Sequence, residues 1–371
     1  MPLVINNDLM VKLCTKAGNS TDNKGGFPKQ TAVEFSRVVD QYDYRGGKIV
    51  VLRPIIDKLV LDYNFDDCKS KKKLIDDIVV DTAKKLFGSK NNQYKGFEVL
   101  APSYLLLRRL NKTHKFNFFL RHQKSDSKVA IQLQGWGKGR FFRCEFNPDK
   151  LQKSGMDDLK SLLDALFKND IYPITYQNIF DNPKGINRID IAVDMLGVDA
   201  CDLEGRYLFK NKALKGHVYE SPNGRLETFY FVLPDSDKGR CYWYNKGKEA
   251  GASDKTVDGM YDGSSSPYQG VLHTRYEFRI LNSTKPLSNL HSFLNHLSKV
   301  TFRAMDYDVV VGKDFTYFLF LRYALNRTKE KALEMIPKDK RSDYSVAFDS
   351  AVIDIWDANK IWKKGWLAEL N

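Results

Sequence analysis

The stretch Asn187-Arg188-Ile189-Asp190-Ile191-Ala192-Val193-Asp194 decides the fold, because charged and apolar side chains alternate along it. Successive side chains of a β-strand point to opposite faces of the sheet, so the isoleucines and the valine share one face. Arg188, Asp190 and Asp194 then share the opposite face. The pattern predicts a strand with one face in a hydrophobic core and the other face charged.

Three further segments extend this pattern, two of which repeat the arginine placed two residues before an acid. They are Arg143-Cys144-Glu145, Arg275-Tyr276-Glu277, and Arg240-Cys241-Tyr242-Trp243-Tyr244-Asn245-Lys246, which places tyrosines between basic residues. The residues expected on the core side are Phe142, Cys144, Phe146, Phe278 and Ile280. A sheet face of acids, arginines and tyrosines is poorly suited to burial. It is well suited to binding a phosphodiester, because arginine binds phosphate in a bidentate manner.

Composition points to a folded protein with a polyanionic partner. The chain has 371 residues, enough for two or three domains, and 42% hydrophobic residues with 13% aromatics indicate globular folding. Its net charge of +13 favours nucleic acid first and an anionic membrane surface second. A purely charge-based inference is weak, so the partner has to be argued from motifs.

Cysteine usage and hydropathy predict a cytoplasmic protein. The five cysteines are dispersed, odd in number and without a Cys-x-x-Cys pair, which argues against a disulfide framework and a zinc ribbon. The N-terminus lacks the basic and apolar regions of a signal peptide. No stretch reaches the ~18 uncharged apolar residues of a membrane helix, so we expect no membrane partner.

Periodicity along the chain predicts an α+β fold. Apolar residues at helical spacing predict helices at 156–166 and 203–214, and from residue 287 onward at 287–305, 315–325, 328–335 and 344–366. Alternating runs before residue 283 predict strands. We therefore expect an α+β domain followed by a helical C-terminal region.

Six segments together resemble a known family. They are 142–151, 187–194, 225–231, 235–237, 243–249 and 275–279, and they occur in the order found in the Rep_trans family of rolling-circle replication initiation proteins. That family comprises staphylococcal-type plasmid initiators and related relaxases. The similarity covers about residues 128–282, and the N-terminal ~125 residues do not share it.

The resemblance implies a relaxase-like, HUH-like antiparallel sheet with helices on one side. It also implies an enzyme that nicks and recloses one DNA strand. Such an enzyme holds the 5′ phosphate on a tyrosine, which here is Tyr244, with Arg188 and Lys246 assisting. Tyr242 shares the face of Tyr244 and is the weaker candidate. The expected division is 1–125 as an N-terminal region partly in the sheet, 126–283 as the nicking core and 284–371 for DNA binding or dimerisation.

The acidic residues of these strands are the candidate metal ligands. The chain has no His-x-His, so a divalent ion would rely on carboxylates, which suits Mg²⁺ or Mn²⁺. Asp190 and Glu277 are the first choices, with Glu145 and Asp194 next. Alternatively, these acids pair with the neighbouring arginines in a structural salt-bridge lattice.

Basic and aromatic side chains complete the predicted DNA site. The predicted DNA-binding residues are Arg143, Arg240, Arg275, Arg279, Lys138, Arg140 and Trp136. Each arginine could equally serve only to orient an acid, and Trp136 could pack on its own sheet. Basic residues after position 320 could bind duplex DNA or form a solvated helix face.

Three functional hypotheses follow. The first is a rolling-circle initiator that acts on an origin as a homodimer with a host helicase. The second is a conjugative or mobilisation relaxase with the same chemistry. The third is a non-catalytic DNA-binding protein on the same fold.

Overall fold

The structure of the protein is a computed structural model. The described residues are 38–63, 81–82, 84–86, 93–100, 114–135, 142–167, 175–182, 185–209, 212–214, 218–220, 226–231, 240–246, 271–281, 286–287, 297–310 and 314–362. Among them, no helix is long and apolar enough to cross a membrane.

A large antiparallel sheet forms the centre of the protein. Its strands are β1 (Val38–Tyr44), β2 (Gly47–Leu52), β3 (Ile55–Tyr63), β4 (Gln93–Tyr94), β5 (Phe97–Leu100), β6 (His114–His122), β7 (Lys128–Gly135), β8 (Phe142–Phe146), β9 (Ile186–Leu196), β12 (Val218–Glu220), β13 (Leu226–Tyr230), β14 (Arg240–Asn245) and β15 (His273–Leu281). Their order is β12-β13-β14-β15-β9-β3-β8-β7-β6-β5-β4, with β2 pairing with both β1 and β9. All the pairings are antiparallel, so the four segments singled out from the sequence lie in one sheet.

One face of this sheet is the hydrophobic core, as the alternation predicts. Ile189, Ile191 and Val193 of β9 are buried in the same cluster as Phe142 and Cys144 of β8. Helices α1 (Pro148–Phe167) and α2 (Tyr176–Phe180) bury their apolar residues in this cluster. The predicted helix at 156–166 is therefore confirmed, and it begins earlier than expected. The α+β class is also confirmed.

A second, four-stranded sheet corrects two sequence-based expectations. Its order is β11-β10-β16-β17, formed by β10 (Leu203–Phe209), β11 (Lys212–Leu214), β16 (Val300–Met305) and β17 (Val352–Asp354). Periodicity predicts a helix at 203–214 and the end of another at 300–305. Both predictions are wrong, because antiparallel pairing of β10 with β16 fixes these residues in extended conformations.

The second sheet covers the core face of β14 and β15 with aromatic rings. Phe302 of β16 packs edge-on against Trp243 and Tyr276, with ring centroids 5.4 and 5.6 Å apart. Trp356, which follows β17, packs against the rings of Tyr276 and Phe302. An aromatic layer thus packs against the core face of β14, the strand that carries Tyr242 and Tyr244 on its other face.

Helices after residue 314 form a separate small core. They are α3 (Phe315–Asn326), α4 (Lys329–Glu334) and α5 (Arg341–Ala351), and α6 (Ala358–Ile361) follows β17. Phe320, Leu321, Tyr344 and Phe348 are buried together in this cluster. The predicted helices at 315–325 and 328–335 are confirmed. The prediction of one helix over 344–366 is wrong, since α5 ends at Ala351 and β17 begins at Val352.

Candidate active site

The charged side chains of β3, β8, β9, β14 and β15 share the sheet face opposite α1, which we call the polar face. Cross-strand register brings its members together: Tyr244 lies opposite Arg275, and Tyr242 lies opposite Glu277. On the other side of β15, Arg279 lies opposite Asp190 and Arg275 opposite Asp194. Period-two alternation placed these residues on one face, and the register makes them neighbours.

The Glu277 carboxylate is the centre of the tyrosine end of this face. The Tyr244 hydroxyl donates a hydrogen bond to Glu277 Oε1 at 2.5 Å. The Tyr242 hydroxyl donates to the other oxygen, Oε2. Their rings stack with centroids 5.8 Å apart. A carboxylate that accepts from two phenols is placed to take a proton from either.

Each phenol also lies against a cation. Lys246 Nζ lies 3.4 Å from the Tyr244 hydroxyl oxygen and 5.6 Å from the ring centroid. Arg279 Nη2 donates to the Tyr242 hydroxyl at 3.0 Å. Positive charge beside a phenol stabilises the phenolate that forms when its proton leaves.

Burial affects the proton affinities in this cluster. Burial raises the pKa of Glu277, and the hydrogen bonds from the two phenols oppose that shift without cancelling it. Burial, with the charge of Glu277, also raises the pKa of Tyr242. The Tyr242 phenol is therefore neutral at neutral pH, and it needs a base to become a nucleophile.

Asp190 forms ion pairs with two arginines. Arg188 binds both oxygens of Asp190, with Nε at 2.8 Å from Oδ1. Arg279 binds the same carboxylate through Nε and Nη2, each at 3.0 Å. The Asp190 carboxylate, only 2% exposed, is thus neutralised by bidentate pairs on both sides.

Asp194 forms a second buried ion pair with Arg275. Arg275 Nε and Nη2 lie 2.6 and 2.8 Å from the two oxygens of Asp194. His273 Nε2 lies 2.9 Å from Oδ1 of the same carboxylate. Burial raises the pKa of Asp194, but the charges of Arg275 and His273 outweigh burial and hold this pKa well below its usual range.

Strand β3 contributes three charged residues that the sequence reasoning missed. Asp57 Oδ1 accepts from Arg275 Nη1 at 3.1 Å. Lys58 forms an ion pair with Glu145, and Asp62 binds Arg143 in a bidentate pair at 2.6 and 2.8 Å. The signal was available in Asp57-Lys58-Leu59-Val60-Leu61-Asp62, where charged residues flank an apolar run. Only the long-range pairing of β3 with β8 and β9 shows which charged residues they meet.

The four predicted metal ligands do not come together as a metal site. Asp190 and Asp194 are bound by arginines, Glu277 by two phenols, and Glu145 by Lys58. Among the described residues, no group of three or more histidine, cysteine, aspartate or glutamate side chains could hold a metal ion. These carboxylates do not fit a shared Mg²⁺ or Mn²⁺ site as arranged, and the metal requirement stays a prediction. The salt-bridge alternative describes Asp190, Asp194 and Glu145.

Arg240 differs from the other predicted DNA-binding arginines. Arg143, Arg275 and Arg279 each bind an aspartate, whereas Arg240 Nε is buried without a hydrogen-bond partner within the described part of the chain. An unpaired buried N–H is costly, so this group can gain from an acceptor such as a phosphate oxygen. Trp136, Lys138 and Arg140 lie outside the described residues.

The expectation that the polar face is poorly suited to burial is wrong at its centre. The exposed fractions are 2% for Asp190, 4% for Glu277, 6% for Tyr244 and 7% for Arg275. Burial is tolerated because each carboxylate meets arginines or phenols with hydrogen-bonding geometry. The site is consequently a preorganised network of paired groups and not a loose, solvated surface.

The fold and this site define an α+β protein whose antiparallel sheet buries a tyrosine–carboxylate–arginine network on one face. Comparison with known proteins adds relatives. The chain is 33% identical over 121 residues to a replication initiation protein from Staphylococcus aureus, covering 32% of each chain. It is 30% identical over 165 residues to another such protein from the same organism, covering 43% of this chain and 45% of that one.

These similarities are partial. The chain spans less than half the length of each of these curated relatives. No family model matches the chain, and no solved structure matches it significantly. The chain is therefore similar to these replication initiation proteins over 32% and 43% of its own length.

Proposed function

We propose that this protein is a rolling-circle replication initiator that nicks one DNA strand and holds the 5′ phosphate on Tyr244. The observation that carries the proposal is the Tyr244 hydroxyl, which donates to Glu277 at 2.5 Å with Lys246 Nζ at 3.4 Å. A phenol beside a base and a cation has the two features that an activated nucleophile needs. The partial similarity to replication initiation proteins supports the same role.

In this proposal the reaction is a transesterification. The Tyr244 oxygen attacks the phosphorus, its proton passes to Glu277, and the bond from phosphorus to the 3′ oxygen breaks. The departing 3′ oxygen takes the proton from Glu277, which leaves a 3′ hydroxyl and a phosphotyrosine. Lys246 stabilises the phenolate character of the attacking oxygen, and Arg240 adds positive charge on the same strand face.

Arg188 has an indirect role in this scheme. It binds Asp190, which in turn binds Arg279 beside the Tyr242 hydroxyl. We therefore assign Arg188 to positioning. A requirement for Mg²⁺ or Mn²⁺, a homodimer and a host helicase belong to the same proposal, with no step assigned to them.

A nicking assay tests the proposal. The protein is incubated with a supercoiled plasmid carrying the DNA that flanks its own gene, with and without Mg²⁺ or Mn²⁺. We expect relaxed plasmid and a covalent protein–DNA adduct on a denaturing gel. Tyr244→Phe should abolish both, whereas Tyr323→Phe, an exposed tyrosine of α3, should leave both intact.

The assay separates the competing functions. A non-catalytic DNA-binding protein would shift the plasmid without nicking it. A conjugative relaxase would nick, but at a site that supports transfer and not replication of a test plasmid. Normal nicking by Tyr244→Phe would remove Tyr244 as the nucleophile.

A further inference from the structure

Tyr242 and Tyr244 have similar polar contacts around one base. Each phenol donates to one oxygen of Glu277, and each has its own cation, Arg279 for Tyr242 and Lys246 for Tyr244. A tyrosine that only filled space on the sheet would not need both contacts. The environment that makes Tyr244 a candidate nucleophile is thus present twice.

Access favours Tyr242 over its neighbour. Tyr244 is 6% exposed, while Tyr242, two residues earlier in the strand, is half-buried. Arg240 precedes Tyr242 by two residues on the same face and lies opposite Arg279 across the strand pair. A phosphate at the Tyr242 hydroxyl would therefore lie beside the guanidinium of Arg279, with the positive charge of Arg240 on the same face.

We propose that Tyr242 is a second nucleophile, so that one chain can hold two DNA 5′ ends at once. This inference rests on the proposed function, since it assumes that Tyr244 forms the first covalent bond and that Tyr242 reacts only after it. It adds a second cleavage by the same site before the first 5′ end is released. A single chain could then exchange two DNA ends without a second active site.

Proton balance permits two successive reactions. In the first, Glu277 takes the proton of Tyr244 and gives it to the departing 3′ oxygen, so the carboxylate returns to its ionised form. In the second, the Tyr242 oxygen bonds to the phosphorus of another strand and its proton passes to Glu277. The second 3′ oxygen leaves with that proton, and no further reactant is consumed.

The sequence around the pair makes the test direct. Trypsin cleaves after Arg240 and after Lys246, so the peptide 241–246 contains Tyr242 and Tyr244 and no other tyrosine. The protein is incubated with excess single-stranded oligonucleotide containing the nick site, designed so that the short upstream fragment dissociates and cannot be rejoined. After nuclease and trypsin digestion, mass spectrometry counts the nucleotides on this peptide and locates them.

We expect wild-type protein to yield peptide with nucleotides on both tyrosines and a doubly shifted band on a denaturing gel. Tyr242→Phe should give single adducts only, and these should lie on Tyr244. Wild-type peptide modified on Tyr244 alone would overturn this inference and leave the proposed function standing. Double adducts that persist in Tyr242→Phe would also overturn it, by placing the second bond elsewhere.

Two further results are decisive. A wild-type protein that forms no adduct at all would refute the proposed function itself. The other combines two observations: Tyr242→Phe fails at the first cleavage, and the wild-type peptide carries a nucleotide on Tyr244 alone. Tyr242 would then be a residue that positions Glu277, and the inference would be wrong.

Discussion

Glu277 accepts hydrogen bonds from both Tyr242 and Tyr244, so substituting it tests the proposed base for both phenols. Glu277→Gln keeps the shape of the side chain but removes its charge and most of its basicity. We expect the nicking rate to fall by about 10²–10⁴-fold, which is the usual contribution of a positioned base. Initial rates of plasmid relaxation measure this.

A matched variant controls for removal of an acid. Glu98→Gln removes a carboxylate that pairs with Arg121 on β5 and β6, away from the tyrosines. It should nick at close to the wild-type rate. Wild-type activity in Glu277→Gln would show that another group takes the proton.

A second prediction at this scale concerns the thiol of Cys241, which directly precedes Tyr242. Cys241 is 1% exposed, and burial raises its pKa to about 12. At pH 8 the thiolate fraction should be about 10³-fold below that of an ordinary cysteine, since the usual pKa is near 8.5. Alkylation of the native protein, followed by peptide mass spectrometry, should label the half-buried Cys201 well before Cys241. Equal labelling of both would mean that the core face of β14 opens readily.

At the scale of elements, β10 depends on a glycine beneath the aromatic layer. A Cβ at Gly205 would lie 2.6 Å from Phe231, 2.8 Å from Phe302 and 2.9 Å from Trp243. Gly205→Ala should therefore lower the free energy of unfolding by about 1–3 kcal/mol, as overpacked cores do. Urea denaturation measures this change.

The control for that prediction is Gly46→Asn. Gly46 has a φ of +68° and nothing within 4 Å of a Cβ, and asparagine tolerates this conformation better than most residues. We expect only a small decrease in stability there. If Gly205→Ala were equally mild, the rings around β10 would have room to move apart.

Elements also show how much of the fold the sequence could predict. Alternation was enough to assign the faces of β8, β9, β14 and β15, because a buried face requires a strict period of two. It could not give the pairing of β3 with β8 and β9, which joins residues at least 79 positions apart. The ion pairs of Asp57, Lys58 and Asp62 depend on that pairing and were therefore missed.

The failure at 203–214 and 300–305 has a different cause. Short segments with several apolar residues fit helical and extended spacing equally well, so periodicity alone does not decide between them. In β16, buried Val300, Phe302 and Ala304 alternate with exposed or half-buried Thr301 and Arg303. That alternation is present in the sequence, but it directly follows a longer run with helical spacing, which hides it.

For the whole molecule, the net charge of +13 predicts salt-dependent binding to DNA. Lys331, Lys338 and Lys340 are exposed around α4 and α5. If they bind duplex phosphates, replacing all three with glutamine should reduce the slope of log affinity against log salt by about 0.9 for each phosphate that is no longer neutralised. Fluorescence anisotropy with duplex DNA, repeated over a series of salt concentrations, would measure this.

A control pair lies in the hairpin between β6 and β7. Lys124 and Lys128 are also exposed, and glutamine at both should leave the slope unchanged if binding is confined to the helices. An identical slope in the helix variant and the wild type would assign duplex binding to another surface.

Because side chains alternate between the two faces of β14, this strand cannot accept the insertion or deletion of a single residue. Tyr242 and Tyr244 face Glu277, while Cys241 and Trp243 face the aromatic layer. Insertion or deletion of one codon between Arg240 and Asn245 would reverse every side chain beyond it, turning a phenol into the core and an indole toward the carboxylate. Point substitutions can accumulate in this strand, but single-codon insertions and deletions should be absent from any population that retains the activity.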